Sequence, residues 1–164
     1  MNENNQRILR FLQLMHSPLK SRLFLFSNLP SAFFSGVKIQ HVDLKMAVVT
    51  VPYKWFSKNP FRSTYFACLA MAAELSTGVL AMMQVFERKP NVSMLVTKLE
   101  ANYYKKAVGI TTFVCADGKA FSDIVQEAIN SGQPQVFTAK SIGKNNAGEL
   151  VAEFFITWSF KAKS

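Results

Sequence analysis

Cysteine is scarce. The chain holds two, Cys68 and Cys115, and neither belongs to a Cys-x-x-Cys pair or a Cys/His cluster. That spacing gives no disulfide framework and no zinc site. Both cysteines read as small buried hydrophobes, one in an Ala-rich helix and one in a strand. A reducing, cytoplasmic compartment and no bound metal are therefore expected. Acidic residues are also few: 10 Asp and Glu against 19 Lys and Arg, a formal charge of +9. A basic surface favours polyanions such as nucleic acid, anionic lipid or a phosphate-bearing cofactor. The cations are scattered, with short pairs at Arg88-Lys89 and Lys105-Lys106, and no nucleic-acid motif is present. A solvated basic surface is the plainer reading. No Pro/Gly/Ser-rich boundary and no internal repeat divides the 164 residues, so a single domain over 1–164 is expected. Arg7 and Arg10 precede no long apolar stretch ending in a cleavage site, so no secretory leader is expected.

Apolar residues, by contrast, are plentiful. Fifteen Phe and seven Met are many for this length. They imply either a large core or an apolar cavity. The longest apolar stretch runs from Phe66 to Phe86 and approaches the ~20 residues that span a bilayer. Glu74 sits at its centre, beside Ser76, Thr77 and Gly78. A carboxylate at mid-bilayer is costly, so the stretch reads as a buried helix and no transmembrane segment is expected.

Along the chain, residues 3–16 carry Ile8, Leu9, Phe11, Leu12 and Met15 at helical spacing. Pro18 punctuates them, a second helix covers about 19–27, and Pro30 follows. These two helices, residues 1–30, are an extension that packs on a sheet, caps an opening or lies on a membrane surface; packing is the default. Gly36 opens a strand at 37–42, and another covers 45–52. A loop rich in aromatic and basic residues fills 53–63, and Ser63 or Thr64 is placed to cap the long helix at 64–86. Strands follow at 93–104 and 109–116. In the first, Leu95, Leu99, Ala101 and Tyr103 alternate with Lys98, Glu100 and Asn102. Asp117-Gly118 marks a turn, Phe121 to Ile129 a short amphipathic helix ended near Gly132. Strands at 134–143 and 150–161 close the chain around the turn 145–148. The order αα-ββ-α-ββ-α-ββ, with hairpin-linked strands and one greasy helix that something must wrap, gives an α+β fold.

Polar groups gather near that helix. Asn59 lies upstream, Ser63 to Ala67 form the first turn, and Glu74 follows about two and a half turns on. A helix start has unpaired N–H groups and partial positive charge, which can hold an oxyanion. A carboxylate in an apolar helix can be a general base or a nucleophile, with a raised pKa when buried alone. It can equally be a structural acid paired with a cation or a backbone group, including one across a subunit interface. Asn59-Pro60 is also an ordinary turn signal.

The ordered set Val51-Pro52, Asn59, Ser63-Thr64-Tyr65-Phe66-Ala67 and Ala73-Glu74-Leu75-Ser76-Thr77-Gly78 resembles the hotdog superfamily. It looks closest to a hotdog family of unknown function, similar to the phenylacetate-pathway and 4-hydroxybenzoyl-CoA thioesterases. Downstream, Lys98 to Gly109, Gly148 to Glu153 and Thr157-Trp158 continue the likeness, which covers about 30–161. The resemblance implies a hotdog fold over residues 31–164, a long central helix wrapped by a curved antiparallel sheet. It implies a homodimer or tetramer with an acyl-CoA or fatty-acyl ligand in a tunnel between subunits. Coenzyme A would enter as part of the substrate and no separate cofactor is implied. Glu74 matches the acidic catalytic position, and Asn59 the upstream residue that places it or the water. The turn Ser63, Thr64, Tyr65, Phe66 and Ala67 matches the substrate-binding helix start, with amides near Phe66 and Ala67 at the thioester carbonyl. Lys105 and Lys106 stand where coenzyme A phosphates arrive. Tyr65 replaces the His of many relatives, no His-Gly-Gly occurs, and Phe66 crowds the carbonyl site. Two functions fit: an acyl-CoA thioester hydrolase, or a non-catalytic acyl- or lipid-binding hotdog. A basic membrane-surface protein is a third, weaker fit.

Overall fold

The computed structural model describes residues 3–163. Helix α1 (Glu3–His16) opens the chain and α2 (Pro18–Asn28) follows after one residue. Pro18 takes the first helical position of α2, where its missing N–H costs nothing, and Ser17 caps the turn by accepting from the Lys20 amide. The extension has a third, short helix that the sequence reading lacked, α3 (Pro30–Ser35). Pro30 there starts a helix as well as stopping one, and Gly36 ends it with φ +83°. Strands β1 (Lys38–Val42) and β2 (Ala47–Pro52) form a hairpin. One 3-10 turn, Trp55–Ser57, interrupts the loop before the long helix α4 (Phe66–Val85). Then come β3 (Val92–Tyr103), β4 (Ile110–Cys115), α5 (Gly118–Ser131), β5 (Gln135–Lys144) and β6 (Leu150–Ala162). Gly118, expected in a turn ahead of a helix near Phe121, is instead the first residue of α5.

All six strands join one antiparallel sheet in the order β1-β2-β4-β5-β6-β3. Only β1–β2 and β5–β6 are hairpins. β3 and β4, consecutive in sequence, do not pair: β3 crosses to the far edge beside β6, and β4 sits between β2 and β5. Alternation reports which face a side chain takes, not which strand lies next to it.

The concave face grips α4. From β6 come Ala152, Phe154, Ile156, Trp158 and Phe160, from β4 Phe113 and Cys115, and from β2 Ala47, Val49 and Val51, all buried. Ala72, Ala73, Gly78 and Ala81 are small enough to let the helix backbone settle onto that face. Burying each large side chain contributes roughly 1.5–3 kcal/mol. Two hydroxyl contacts fix the helix's rotation. The Ser76 and Ser141 hydroxyls lie 2.7 Å apart, and Trp158 Nε1 donates to Thr77 Oγ1 at 3.0 Å. At the other end, α1 closes the last turn of α4. Arg7 is buried there and donates to the carbonyls of Met83, at 2.8 Å, and Phe86, at 3.2 Å. The arrangement is the hotdog.

β3 departs from simple alternation. A bulge between Val96 and Lys98 shifts its register. Before it, Met94 and Val96 face inward opposite Phe160 and Trp158, and Leu95 faces outward opposite Ser159. After it, Leu99, Ala101 and Tyr103 face inward opposite Ile156, Phe154 and Ala152. Leu95 therefore does not share a face with Leu99, contrary to the even spacing of the sequence.

Candidate functional site

Three elements build the region around the start of α4. The loop that leads in is tied by Asn59. Its Oδ1 accepts from the Phe61 amide at 3.0 Å and the Ser63 amide at 3.2 Å, and its Nδ2 donates to Ser63 Oγ at 3.1 Å. These bonds occupy the carboxamide within its own loop, an Asx-type turn. Thr64 is buried and anchors the loop to the segment after β3: its amide and hydroxyl both donate to the Ala107 carbonyl, at 2.8 and 3.1 Å. Ser63 and Thr64 therefore hold the approach and do not cap the helix. The cap is Tyr65, in extended conformation and without a side-chain bond to the helix. Among the described residues the amides of Phe66 and Ala67 have no acceptor, as a helix start without a capping side chain leaves them. The rings of Tyr65 and Phe66, edge to face at 4.8 Å, stand exposed beside them.

A cleft of about 560 Å³ opens at this point. Asn59, Phe61, Tyr65 and Phe66 line one side, and Tyr103, Tyr104, Lys105 and Lys106 the other. The two lysines differ. Lys105 is paired with Glu149. Lys106 reaches only the Phe61 carbonyl, at 3.4 Å, and makes no ion pair among the described residues.

Glu74 lies eight residues into the helix, ~12 Å of rise from Phe66. It is partly buried, and its carboxyl has no hydrogen bond or salt bridge among the described residues. The space it occupies is made by Gly78. A Cβ there would lie 3.1 Å from Glu74 Oε1 and 3.4 Å from the Trp158 ring. Withdrawn from water by burial, with no cation among the described residues to offset the loss, the carboxyl has its pKa pushed up from 4.5 to about 7. Ala67, Ala70, Met71 and Glu74 form a half-exposed stripe at helical spacing. Leu99 and Tyr103 face the same side from β3 and are 45% and 47% exposed despite pointing inward. The fold thus leaves one apolar face uncovered, with an unpaired acid in it.

The sequence profile of DUF4442, a domain of unknown function, matches residues 21–160. The chain belongs to the DUF4442 family. No curated protein matches this DUF4442 chain. Solved structures do match its fold. PA5026 of Pseudomonas aeruginosa, described as a protein of unknown function and probable thioesterase, superposes with TM-score 0.76 at 18% identity, covering 92% of this chain and 99% of its own. A protein of unknown function from Chlorobaculum tepidum gives 0.75 at 15%, covering 91% and 99%. The thioesterase HI1161 of Haemophilus influenzae gives 0.64 at 14%, covering 89% and 91%. At such identities the likeness establishes the hotdog fold and carries no catalytic residue across.

In this DUF4442 chain the structure gathers Asn59, Ser63, Thr64, Tyr65, Phe66, Lys105 and Lys106 around one cleft, although 46 positions separate Asn59 from Lys105. Glu74 is not among the lining residues of that cleft; it lies further along the open stripe. The sequence shows Gly78 close to Glu74 and Trp158 in the last strand, but does not join either of them to the acid as a candidate site residue. Their signals were present: Trp158 falls on the apolar face of the last strand, and Gly78 is one turn after Glu74. Among the described residues no group of three or more His, Cys, Asp or Glu is placed to hold a metal ion.

Proposed function

We propose that this DUF4442 protein hydrolyses acyl thioesters of the acyl-CoA type, with Glu74 as general base. The observation that carries the reading is the desolvated Glu74 carboxyl, without a partner among the described residues and with its pKa near 7, on the same apolar face as a helix start whose first two amides have no acceptor among those residues. A base poised at that pKa takes a proton from water at neutral pH without holding it too tightly to return it. In the proposed step, the water oxygen bonds to the thioester carbon. The Phe66 and Ala67 amides stabilise the oxyanion, and Glu74 accepts the water's proton. The C–S bond then breaks, and the proton passes to the departing thiolate, leaving a carboxylic acid and a thiol. A glutamate side chain swung toward the helix N-terminus shortens the ~12 Å between the two groups to the span of a carbonyl and its attacking water. The carboxyl must therefore leave the Gly78 notch when substrate binds. Asn59 acts by holding the loop that carries Ser63 and Thr64. Lys106 meets coenzyme A phosphate, and the exposed Leu99 and Tyr103 with the partly buried Met71 receive the acyl chain.

The reading includes a homodimer. β3 is a twelve-residue edge strand with large apolar side chains exposed on both faces, and such an edge is normally covered. A second copy on that edge would close the face over Glu74. Leu99→Lys is then expected to shift the sedimentation coefficient to that of a monomer.

The test is a hydrolysis panel of acyl-CoA esters from acetyl to palmitoyl. Turnover is expected with the longer chains, with kcat/KM half-maximal near the Glu74 pKa of about 7 and lost in Glu74→Gln. A non-catalytic acyl-binding protein is the second reading, favoured by the Tyr65 and Phe66 rings over the carbonyl site. It predicts retained fatty acid in native mass spectra and no turnover with any ester.

A further inference from the structure

The N-terminal extension carries a feature that neither the core nor the thioester site uses. Leu19, Leu23 and Phe26 lie at i, i+4 and i+7 on α2, one face of the helix. The opposite face, with Ser21 and Leu25, is the buried one. Phe26 touches Phe34 of α3 at 6.2 Å between ring centres, Phe34 touches Phe56 at 5.9 Å, and Phe56 touches Trp55 at 4.8 Å. These six side chains therefore form one continuous ridge, and each is between 47% and 70% exposed. A continuous ridge of six large exposed apolar side chains is uncommon on a protein that stays alone in water.

Charge identifies what covers it. From residue 17 to residue 73 the chain has seven Lys and Arg and a single acid, Asp43, which is bonded to His41. Lys20 adjoins Leu19, Lys54 adjoins Trp55, and Lys58 and Arg62 follow in the same loop. None of these four forms an ion pair among the described residues. Aromatic and leucine side chains at the level of lipid headgroups, rimmed by unpaired cations, are the composition of an interfacial anchor. A second copy of the chain would bring the same positive rim against itself, whereas an anionic bilayer complements it. The ridge belongs to the extension and the loop after β2, not to β3, so pairing at the β3 edge leaves it in place. It involves surface side chains only. The apolar helix α4 stays buried in the sheet.

We propose that the ridge Leu19–Leu23–Phe26–Phe34–Phe56–Trp55 docks the protein peripherally on anionic membrane surfaces. The probe is the full chain mixed with vesicles of phosphatidylcholine alone, or of equal parts phosphatidylcholine and phosphatidylglycerol, followed by flotation. Binding is expected only to the mixed vesicles, weakening as salt screens the headgroups. Tryptophan emission should shift to the blue on binding. Trp158 is buried and hydrogen-bonded, so exposed Trp55 is the responding residue. Trp55→Ser/Phe56→Ser should weaken binding by about tenfold or more. Lys54→Gln and Lys58→Gln should each cost about fivefold. All of these positions are exposed, and unchanged thermal melting verifies the fold. Three results would overturn the proposal: no flotation with anionic vesicles, flotation unaffected by Trp55→Ser/Phe56→Ser, or a wild-type oligomer that falls apart in that variant. The last would make the ridge a contact between copies.

Discussion

Replacing Glu74 by Gln is expected to make the protein more stable, and only above a definite pH. In the unfolded chain this carboxyl titrates near 4.5, and in the fold near 7, because burial disfavours its charge. Below the unfolded value both states hold the proton and the group contributes nothing. As pH rises through the window from 4.5 to about 7, the unfolded chain releases the proton and the folded one retains it, so stability falls. Above that window the loss is complete and constant. At about 1.4 kcal/mol per pH unit it amounts to about 3 kcal/mol. Glutamine has the shape of the protonated acid and carries no charge, so it removes the penalty. For a domain of this size the melting temperature should rise by roughly 6–12 °C at about pH 8, and hardly move at about pH 4. Calorimetric melts of both proteins across that range are the assay. A gap of equal size at every pH would mean that shape, not charge, is responsible. A glutamine variant less stable than wild type above neutrality would mean that the ionised carboxylate has a partner in the working assembly. Either result would refute the picture of an unpaired acid held at strain.

Two further outcomes follow from close contacts. Gly118→Ala should destabilise the fold by at least about 2 kcal/mol in urea unfolding, because the new Cβ would lie 2.2 Å from the Leu44 carbonyl oxygen, a backbone atom that cannot step aside; a wild-type midpoint would contradict it. Asn59→Ala should cost about 1–2 kcal/mol by leaving the Phe61 and Ser63 amides without their acceptor, and Asn59→Asp, which keeps that acceptor, should cost less in the same measurement.

The elements that burial writes directly into side-chain order could be read from the sequence. The strict alternation from Leu150 to Phe160 located β6 and its inner face, and the Ala-rich run around Glu74 located the helix that the sheet wraps. Contacts between distant segments could not be read in this way. Nothing in Val92–Tyr103 says that its neighbour is β6, which starts 47 residues after Tyr103, because strand partners are chosen by the whole sheet. The bulge at Val96–Lys98 likewise left no local mark, and it moved Leu95 to the opposite face from Leu99. Gly118 looked like a turn because glycine usually relaxes a backbone. Here it admits a neighbouring carbonyl. At the site, the cluster around Asn59 was legible as turn chemistry next to a helix start. The cradle for Glu74 was not, since it combines a glycine on its own helix with an indole from the other end of the chain.

The two hydroxyl contacts on α4 have a bearing beyond packing. A smooth apolar cylinder in an apolar trough has little to stop it rolling, and each residue of roll turns every side chain by about 100°. Ser76 on Ser141 and Thr77 under the Trp158 indole act as locating pins. They aim an acid that neither of them touches through its carboxyl. A relative that kept the acid but had lost both pins would have the right reagent pointed in no particular direction.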